Sequence, residues 1–171
     1  MKISLVGYGS LLNLSSLTDT IKVSSFVPVI VKGYKRIFNV QLSKTDVLNL
    51  VKSSKHYFNG LMFKINHEQL KKLIKREKPE YHLEKTIAFP LYGTKKSLPC
   101  FIFIDEYLHL DKKKRIPNQD YFLLCREGAY NVSRKFGKQW DETTYLASGK
   151  KVSDWLKFNP DYDLINDTNI K

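Results

Sequence analysis

The chain has 171 residues, 29 lysines and arginines against 17 aspartates and glutamates, a formal net charge of +12 and 42% hydrophobic residues. This length fits one domain, residues 1–171, that can bury a core without disulfides or a structural metal. The hydrophobic fraction excludes global disorder, and no run of about 18 apolar residues exists to span a membrane. No signal-peptide pattern follows Met1, so we expect a cytoplasmic protein.

The positive charge is of the kind that nucleic-acid-binding proteins carry, but its distribution argues against such a partner. The charge is spread along the chain, and the only dense run, residues 112–115, falls in an expected loop. Tyr34–Arg36 and Tyr57 are the only hints of interleaved aromatic and basic residues. We therefore expect no nucleic-acid partner, whereas an anionic small substrate would also be favoured by this charge.

The first elements in chain order are predicted to be mainly strands. A short buried strand is expected at 2–6, and longer apolar runs predict more strands, with Pro28 at an edge and Gly33 at a bulge. Asn59-Gly60 is typical of a turn or bulge. The further strands are predicted at residues 26–40, 47–51, 57–65, 81–92 and 98–104.

Helices are predicted between and after these strands. A short helix near Leu17 is capped by Ser15 or Ser16, and a long helix spans 118–136. Strands that mostly precede helices indicate the α+β class. A short last helix holds Val152, Trp155 and Leu156.

The clearest helix begins at Asn66. Asn66 is a good N-cap, and Gln69 three residues later completes a capping-box pattern. Pro79 disfavours helical geometry at Lys78, so the helix should end near Glu77.

Glu77 occupies a position where an apolar residue is expected. It follows Leu70, Leu73 and Ile74 at helical spacing, on the face that should be buried. Burial raises the pKa of a carboxyl group, and a raised pKa suits a general base near neutral pH. The alternative is a glutamate of the last turn that reaches water or pairs with a lysine, although a negative charge there opposes the helix dipole.

The segment Gly7-Tyr8-Gly9-Ser10-Leu11 directly follows the first strand. Two glycines around an aromatic residue can point successive backbone N–H groups at one spot and bind an anion or oxyanion. A dinucleotide fingerprint and a nucleophile elbow both fail, because each requires glycine where Leu12 stands. An ordinary tight turn is the alternative.

The cysteines and histidines offer no metal site by their spacing. Both cysteines lie inside apolar runs, which predicts buried, reduced thiols. These residues are Cys100, Cys125, His56, His67, His82 and His109.

The Tyr8–Leu11 segment, followed by a helix that ends in Arg76-Glu77-Lys78-Pro79-Glu80-Tyr81, resembles the gamma-glutamylcyclotransferase-like family, which includes ChaC-type and AIG2-like proteins. In that family a Tyr-Gly-Ser loop follows a strand, and the catalytic glutamate ends a helix shortly before a tyrosine. The resemblance covers residues 1–92. Leu11, where many cyclotransferases have Asn, is similar to ChaC-like and uncharacterised bacterial members.

The resemblance implies a small mixed β-sheet or barrel flanked by helices. It also implies an enzyme of glutathione or γ-glutamyl metabolism, a lyase or transferase, that cyclises a γ-glutamyl group to 5-oxoproline and releases an amine or amino acid. Glu77 would be the catalytic base, and no cofactor or metal would be needed. The substrate-binding residues would be Tyr8, Gly9, Ser10, Leu11 and, just past the catalytic helix, Tyr81.

A non-catalytic binding module on the same fold, using its basic surface for an acidic partner, is the alternative. The two hypotheses differ on Glu77, because a binding module needs no carboxylate on an apolar helix face. The sequence leaves open which γ-glutamyl compound is the substrate and what the oligomeric state is.

Overall fold

The computed structural model describes residues 2–77, 81–93, 96–105 and 115–163. Four features of the sequence lie outside these described residues. They are the predicted helix stop at Pro79, the neighbouring Glu80, His109 and the basic run at 112–114.

Five strands close into a barrel, and a sixth strand extends it. The strands are β1 (Ile3–Gly7), β2 (Phe26–Leu42), β3 (Thr45–Ile65), β4 (Tyr81–Pro90), β5 (Leu98–Asp105) and β6 (Thr144–Leu146). Their spatial order is β3-β1-β5-β4-β2-β6, and pairing between β2 and β3 closes the ring. The β1–β5 and β2–β6 pairs are parallel and the others antiparallel. This mixed barrel with helices confirms the predicted α+β class.

Five helices flank the barrel in the described part of the chain. They are α1 (Leu14–Thr18), α2 (His67–Arg76), α3 (Gln119–Val132), α4 (Arg134–Thr143) and α5 (Val152–Trp155). The capping box predicted for α2 is confirmed, since the side chains of Asn66 and Gln69 each accept the other residue's backbone N–H at 2.9 Å. None of the described helices is long and apolar enough to cross a membrane.

Two helix predictions were wrong. The expected helix 118–136 is interrupted at Ser133, whose backbone is extended and whose hydroxyl accepts the Phe136 N–H at 3.1 Å, so that α4 begins there. The first helix is capped by Asn13 rather than by Ser15 or Ser16. In both cases a polar side chain that caps a helix took precedence over the apolar periodicity.

The prediction of two strands at 47–51 and 57–65 was also wrong, because β3 is one strand from Thr45 to Ile65, and the turn or bulge predicted at Asn59-Gly60 is absent, since both residues pair with β2 without a register shift. Gly60 is needed for close packing: a Cβ there would lie 2.6 Å from a Val6 methyl group and 2.7 Å from the Gly7 carbonyl. The bulge predicted at Gly33 is confirmed, since the β2–β3 register shifts between Lys32 and Tyr34 and Gly33 has a φ of 89°.

β1 is buried on both faces. Val6 belongs to the core cluster that fills the barrel, whereas Leu5 packs in a second cluster with Leu17 of α1 and Leu73 of α2. Burial on two sides explains why the adjacent residues Leu5 and Val6, which point to opposite faces, are both apolar.

The chain leaves the sheet at Gly7, where β1 ends. Nearby, the side chain of Asn49 joins β3 to β5. The Asn49 amide of β3 donates to the Asp105 carbonyl at 3.0 Å and its oxygen accepts the Asp105 N–H at 2.9 Å. Leu48 is the neighbour of Asn49, and a Cβ on Gly9 would lie 3.5 Å from a methyl group of Leu48. The loop after β1 thus meets β3 and β5 at one point.

Candidate active site

The loop after β1 forms one 3₁₀ turn, Ser10–Leu12. The Leu12 N–H donates to the Gly9 carbonyl at 2.9 Å. The N–H groups of Ser10 and Leu11 belong to the first turn, where no carbonyl of the same turn can accept them.

A small cavity of about 30 Å³ lies beside this loop. All six residues that the sequence analysis named for the site line it, four from the loop together with Glu77 and Tyr81. The lining residues are Val6, Tyr8, Gly9, Ser10, Leu11, Leu48, Glu77, Tyr81, Phe103 and Tyr121.

Glu77 is the first residue after α2, and its backbone is extended while its N–H still donates to the Leu73 carbonyl at 2.9 Å. Its side chain is half-buried. Burial raises the pKa of the Glu77 carboxyl, and the neighbouring Arg76 charge opposes this rise without cancelling it. The predicted helix end near Glu77 is confirmed, and so is the predicted direction of the pKa shift.

The apolar face of α2 is narrower than expected. Leu73 is buried and Leu70 is partly buried, but Ile74 is 49% exposed. Glu77 lies four residues after Leu73 and three after Ile74, and its half-buried side chain lines the cavity.

Arg76, which the sequence analysis did not single out, joins the end of α2 to the loop. Its guanidinium donates to the Ser10 hydroxyl at 3.3 Å, to both the hydroxyl and the carbonyl of Ser16 and to the Thr20 hydroxyl at 3.0 Å. These four bonds come from the two terminal nitrogens of the Arg76 guanidinium. They hold the end of α2, and with it Glu77, against the loop that contains Ser10. An arginine in the last turn is ordinary for a helix, so its sequence position gave no signal.

Two tyrosine hydroxyls of the cavity already donate their protons to the protein. Tyr8 donates to the Phe103 carbonyl at 2.9 Å, and Tyr81 donates to the Leu48 carbonyl. Burial above all, with negative charge from Tyr81 and Glu77, raises the pKa of Tyr8 well above its usual value. With its proton given to the Phe103 carbonyl, the Tyr8 hydroxyl oxygen can only accept further hydrogen bonds, as an amine or ammonium group would require.

Tyr121 of α3 is a cavity residue that sequence reasoning missed. A Cβ on Gly9 would lie only 2.8 Å from the Tyr121 hydroxyl oxygen. The lack of a side chain at Gly9 therefore leaves room for Tyr121. Burial raises the pKa of Tyr121 well above its usual value. Tyr121 adjoins the apolar stripe of its helix, and that pattern alone does not separate a core tyrosine from one that lines a site.

Both cysteines are buried and form no disulfide, which confirms the prediction. Burial raises the pKa of Cys125 to about 12 and that of Cys100 to about 11, so neither thiol ionises near neutral pH. Within the described ranges, no three His, Cys, Asp or Glu side chains are arranged to hold a metal ion.

The hints of a nucleic-acid surface do not lie on one face. Arg36 and Tyr34 are buried, so they are not part of a basic surface. Tyr57 is exposed and lines a separate groove of about 550 Å³ with cations of α4, but the exposed Glu142 also lines it. The absence of a nucleic-acid partner stays a prediction.

The loop is backed by α3 at very close range, and this packing leads to a prediction. A Cβ on Gly128 would lie 2.5 Å from the Asn13 nitrogen and 2.7 Å from the Leu12 carbonyl carbon. Because these are backbone atoms, Gly128→Ala should displace the loop and lower the free energy of unfolding by about 1–3 kcal/mol. Urea unfolding measures the loss. Gly93→Ala is the comparison variant. A Cβ there meets nothing within 4 Å, so any loss of stability comes from the positive φ of Gly93 and not from steric crowding. A Gly128→Ala protein as stable as wild type would contradict the packing argument.

No protein-family model and no curated protein sequence matches the chain. Solved structures do match. A gamma-glutamyl cyclotransferase structure covers 93% of this chain and 98% of its own, with 14% identity and a TM-score of 0.66. The chain has the gamma-glutamyl cyclotransferase fold.

Two further structures support this fold. An uncharacterised human protein covers 92% of this chain and 97% of its own, with 15% identity and a TM-score of 0.64. A yeast gamma-glutamyl cyclotransferase described as specific to glutathione covers 98% of this chain and 90% of its own, with 14% identity and a TM-score of 0.53. The gamma-glutamyl cyclotransferase fold is thus shared over nearly the whole chain, although the sequences have diverged widely.

Proposed function

We propose that the protein cyclises a γ-glutamyl group to 5-oxoproline and releases an amine or amino acid. The observation that carries this proposal is one cavity lined by both the Glu77 carboxylate and the Tyr8–Leu11 loop. A carboxyl group with a raised pKa can accept a proton and return it, and backbone N–H groups can bind a developing oxyanion.

In the proposed reaction, the α-amine of the γ-glutamyl group attacks its own γ-carbonyl carbon. Glu77 takes a proton from the attacking nitrogen, and the N–H groups of the loop bind the carbonyl oxygen as it becomes negative. The bond to the leaving nitrogen then breaks, and Glu77 returns the proton to that nitrogen. Because nucleophile and electrophile are in one molecule, much of the rate enhancement comes from holding a conformer that can cyclise.

The hydroxyl oxygen of Tyr8 fits this substrate. Its proton is given to the Phe103 carbonyl, so this oxygen can accept from the substrate's α-ammonium group before that group loses a proton. Tyr81, whose hydroxyl donates to the Leu48 carbonyl, lines the same cavity. A cavity of about 30 Å³ holds about one or two water molecules, so side chains of the wall must turn aside to admit a γ-glutamyl group.

Mass spectrometry of 5-oxoproline release from a panel of γ-glutamyl compounds tests the proposed function. The panel includes glutathione, γ-glutamyl amino acids and γ-glutamyl-lysine. Release from at least one compound supports the proposal and identifies the leaving group. No release from any of them would favour the binding module, whose partner would then be sought among acidic molecules.

The pH dependence of the reaction should report Glu77. A general base must be ionised, so kcat/KM should fall as the pH falls through the raised pKa of Glu77, with a midpoint above the ordinary value of 4.5. A pH–rate profile of the wild-type protein measures this midpoint. An acid limb centred at or below 4.5 would be inconsistent with a buried base.

A further inference from the structure

Arg36 of β2 is a fully buried cation whose hydrogen-bond acceptors are all neutral. Its exposed fraction is 0%. Among the described residues, its acceptors are the Asn59 carbonyl and side-chain oxygen, the Thr143 and Thr144 hydroxyls, and the carbonyls of Tyr8 and Trp140. Four of these bonds measure 2.7–2.9 Å, so the guanidinium is held in one orientation.

Such a charge is costly to bury without a carboxylate partner. Burial lowers the pKa of Arg36 to about 9. Nearby rings reduce the cost only in part, since the guanidinium carbon lies 5.0 Å from the Trp140 ring centre and 5.9 Å from that of Phe58. The charge is therefore offset mainly by hydrogen bonds to neutral groups, one of which is the Tyr8 carbonyl next to the cavity.

The Tyr8 carbonyl connects Arg36 to the cavity. It accepts the Arg36 guanidinium at 3.4 Å and the Trp140 indole N–H at 3.3 Å. The peptide that follows is trans, so the Gly9 N–H points away from the Tyr8 carbonyl and from both donors. Gly9 itself lines the cavity that holds Glu77.

We propose that Arg36, assisted by Trp140, is a positioning residue that turns the Gly9 N–H toward the reacting carbonyl and strengthens it as an oxyanion donor. This inference rests on the proposed function. A donor on the carbonyl side of a peptide polarises that peptide and makes its N–H a better donor. The positive charge of the buried Arg36, within hydrogen-bond distance of the carbonyl, acts in the same direction and is weakly screened by solvent.

The test compares variants that differ in whether they touch the Tyr8 carbonyl. Trp140→Phe keeps an aromatic ring and removes one donor to that carbonyl, and Arg36→Lys keeps the charge but loses the guanidinium fork. Trp155→Phe is the matched control, because it makes the same exchange in the same core cluster, while the side-chain donors to the Tyr8 carbonyl are Arg36 and Trp140. We expect kcat to fall by about 10²-fold in Arg36→Lys and about 10-fold in Trp140→Phe, with little change in KM. Trp155→Phe should keep kcat within about twofold of wild type.

The NMR signal of the Gly9 amide gives a readout that does not depend on activity. In folded ¹⁵N-labelled protein, this signal should move in Trp140→Phe and stay in place in Trp155→Phe. Equal shifts in the two variants, or an equal loss of kcat, would overturn the positioning role and leave Arg36 as a structural residue. Absence of 5-oxoproline release by the wild type would instead contradict the proposed function, and the Gly9 shifts would still test the orientation of this peptide. If Arg36→Lys does not fold, the comparison of Trp140→Phe with Trp155→Phe decides the matter.

Discussion

Glu77→Gln is expected to reduce 5-oxoproline release by about 10²- to 10⁴-fold, the usual effect of losing a general base. The change keeps the shape of the side chain and removes the proton acceptor. KM should be nearly unchanged, because the N–H groups of the loop are untouched. Initial rates on the substrate found in the screen measure both quantities.

Glu84→Gln is the matched control for this prediction. Glu84 is on β4, where its carboxylate pairs with Lys52 at 2.9 Å and accepts from Tyr34 at 3.5 Å, and it does not line the cavity. It should retain nearly full activity, and Glu80→Gln is a second control. A fully active Glu77→Gln protein together with an inactive Glu80→Gln or Glu84→Gln protein would assign the base to another carboxylate.

Glu77→Gln should not be less stable than the wild-type protein. The pKa of Glu77 is raised in the folded state, so its contribution to stability is greatest below its unfolded pKa and is lost as the pH rises through the folded value. At neutral pH the ionised carboxylate therefore disfavours folding. Glutamine removes this penalty, and thermal unfolding at pH 7 should show a melting temperature at or above that of wild type.

Asp141→Ala is expected to lower the free energy of unfolding by about 3–5 kcal/mol, because the buried Arg126 guanidinium then keeps only the half-exposed Asp163, at 2.7 Å, as a carboxylate partner. Asp141 of α4 accepts two bonds from Arg126 of α3, each at 2.9 Å, and one from the Tyr130 hydroxyl at 2.8 Å. Both charged groups are almost fully buried. Denaturant unfolding followed by circular dichroism measures the loss.

A second ion pair, which is exposed, serves as the comparison for the buried pair. Asp154 and Lys157 pair at 2.8 Å on the surface, so Asp154→Ala should leave stability unchanged within error. The double variant Arg126→Met/Asp141→Leu should recover much of the loss, since neither charge then remains buried. An Asp141→Ala protein as stable as wild type would mean that water replaces the missing carboxylate.

The predictions from sequence succeeded where local chemistry decides the structure. The capping box at Asn66, the bulge at Gly33 and the helix end at Glu77 each depend on residues within a few positions of one another. The six proposed site residues lie together because a strand end and a helix end meet in this fold. Their roles in catalysis remain a proposal.

Apart from the two helix boundaries that local caps decide, the failures have a common physical cause, which is that long-range contacts override local signals. Asn59-Gly60 has the composition of a turn, yet Asn59 is buried where it accepts from Arg36 and donates to the Phe136 carbonyl. Tyr121 and Arg36 sit in ordinary patterns for a helix and a strand. Only the closed barrel shows that Tyr121 faces the loop after β1 and that Arg36 donates to the Tyr8 carbonyl of this loop.

The cavity wall is drawn from segments that are far apart in the chain, from Val6 and the loop after β1 to Tyr121 of α3. The β2–β3 hairpin can form from neighbouring residues, but β1 reaches its partners on β3 and β5 only after much longer loops have closed. Pairings of this kind are slow to form. During refolding the cavity should therefore appear with ring closure, after most secondary structure, so a chain stalled before that step would be rich in strands and still have no site.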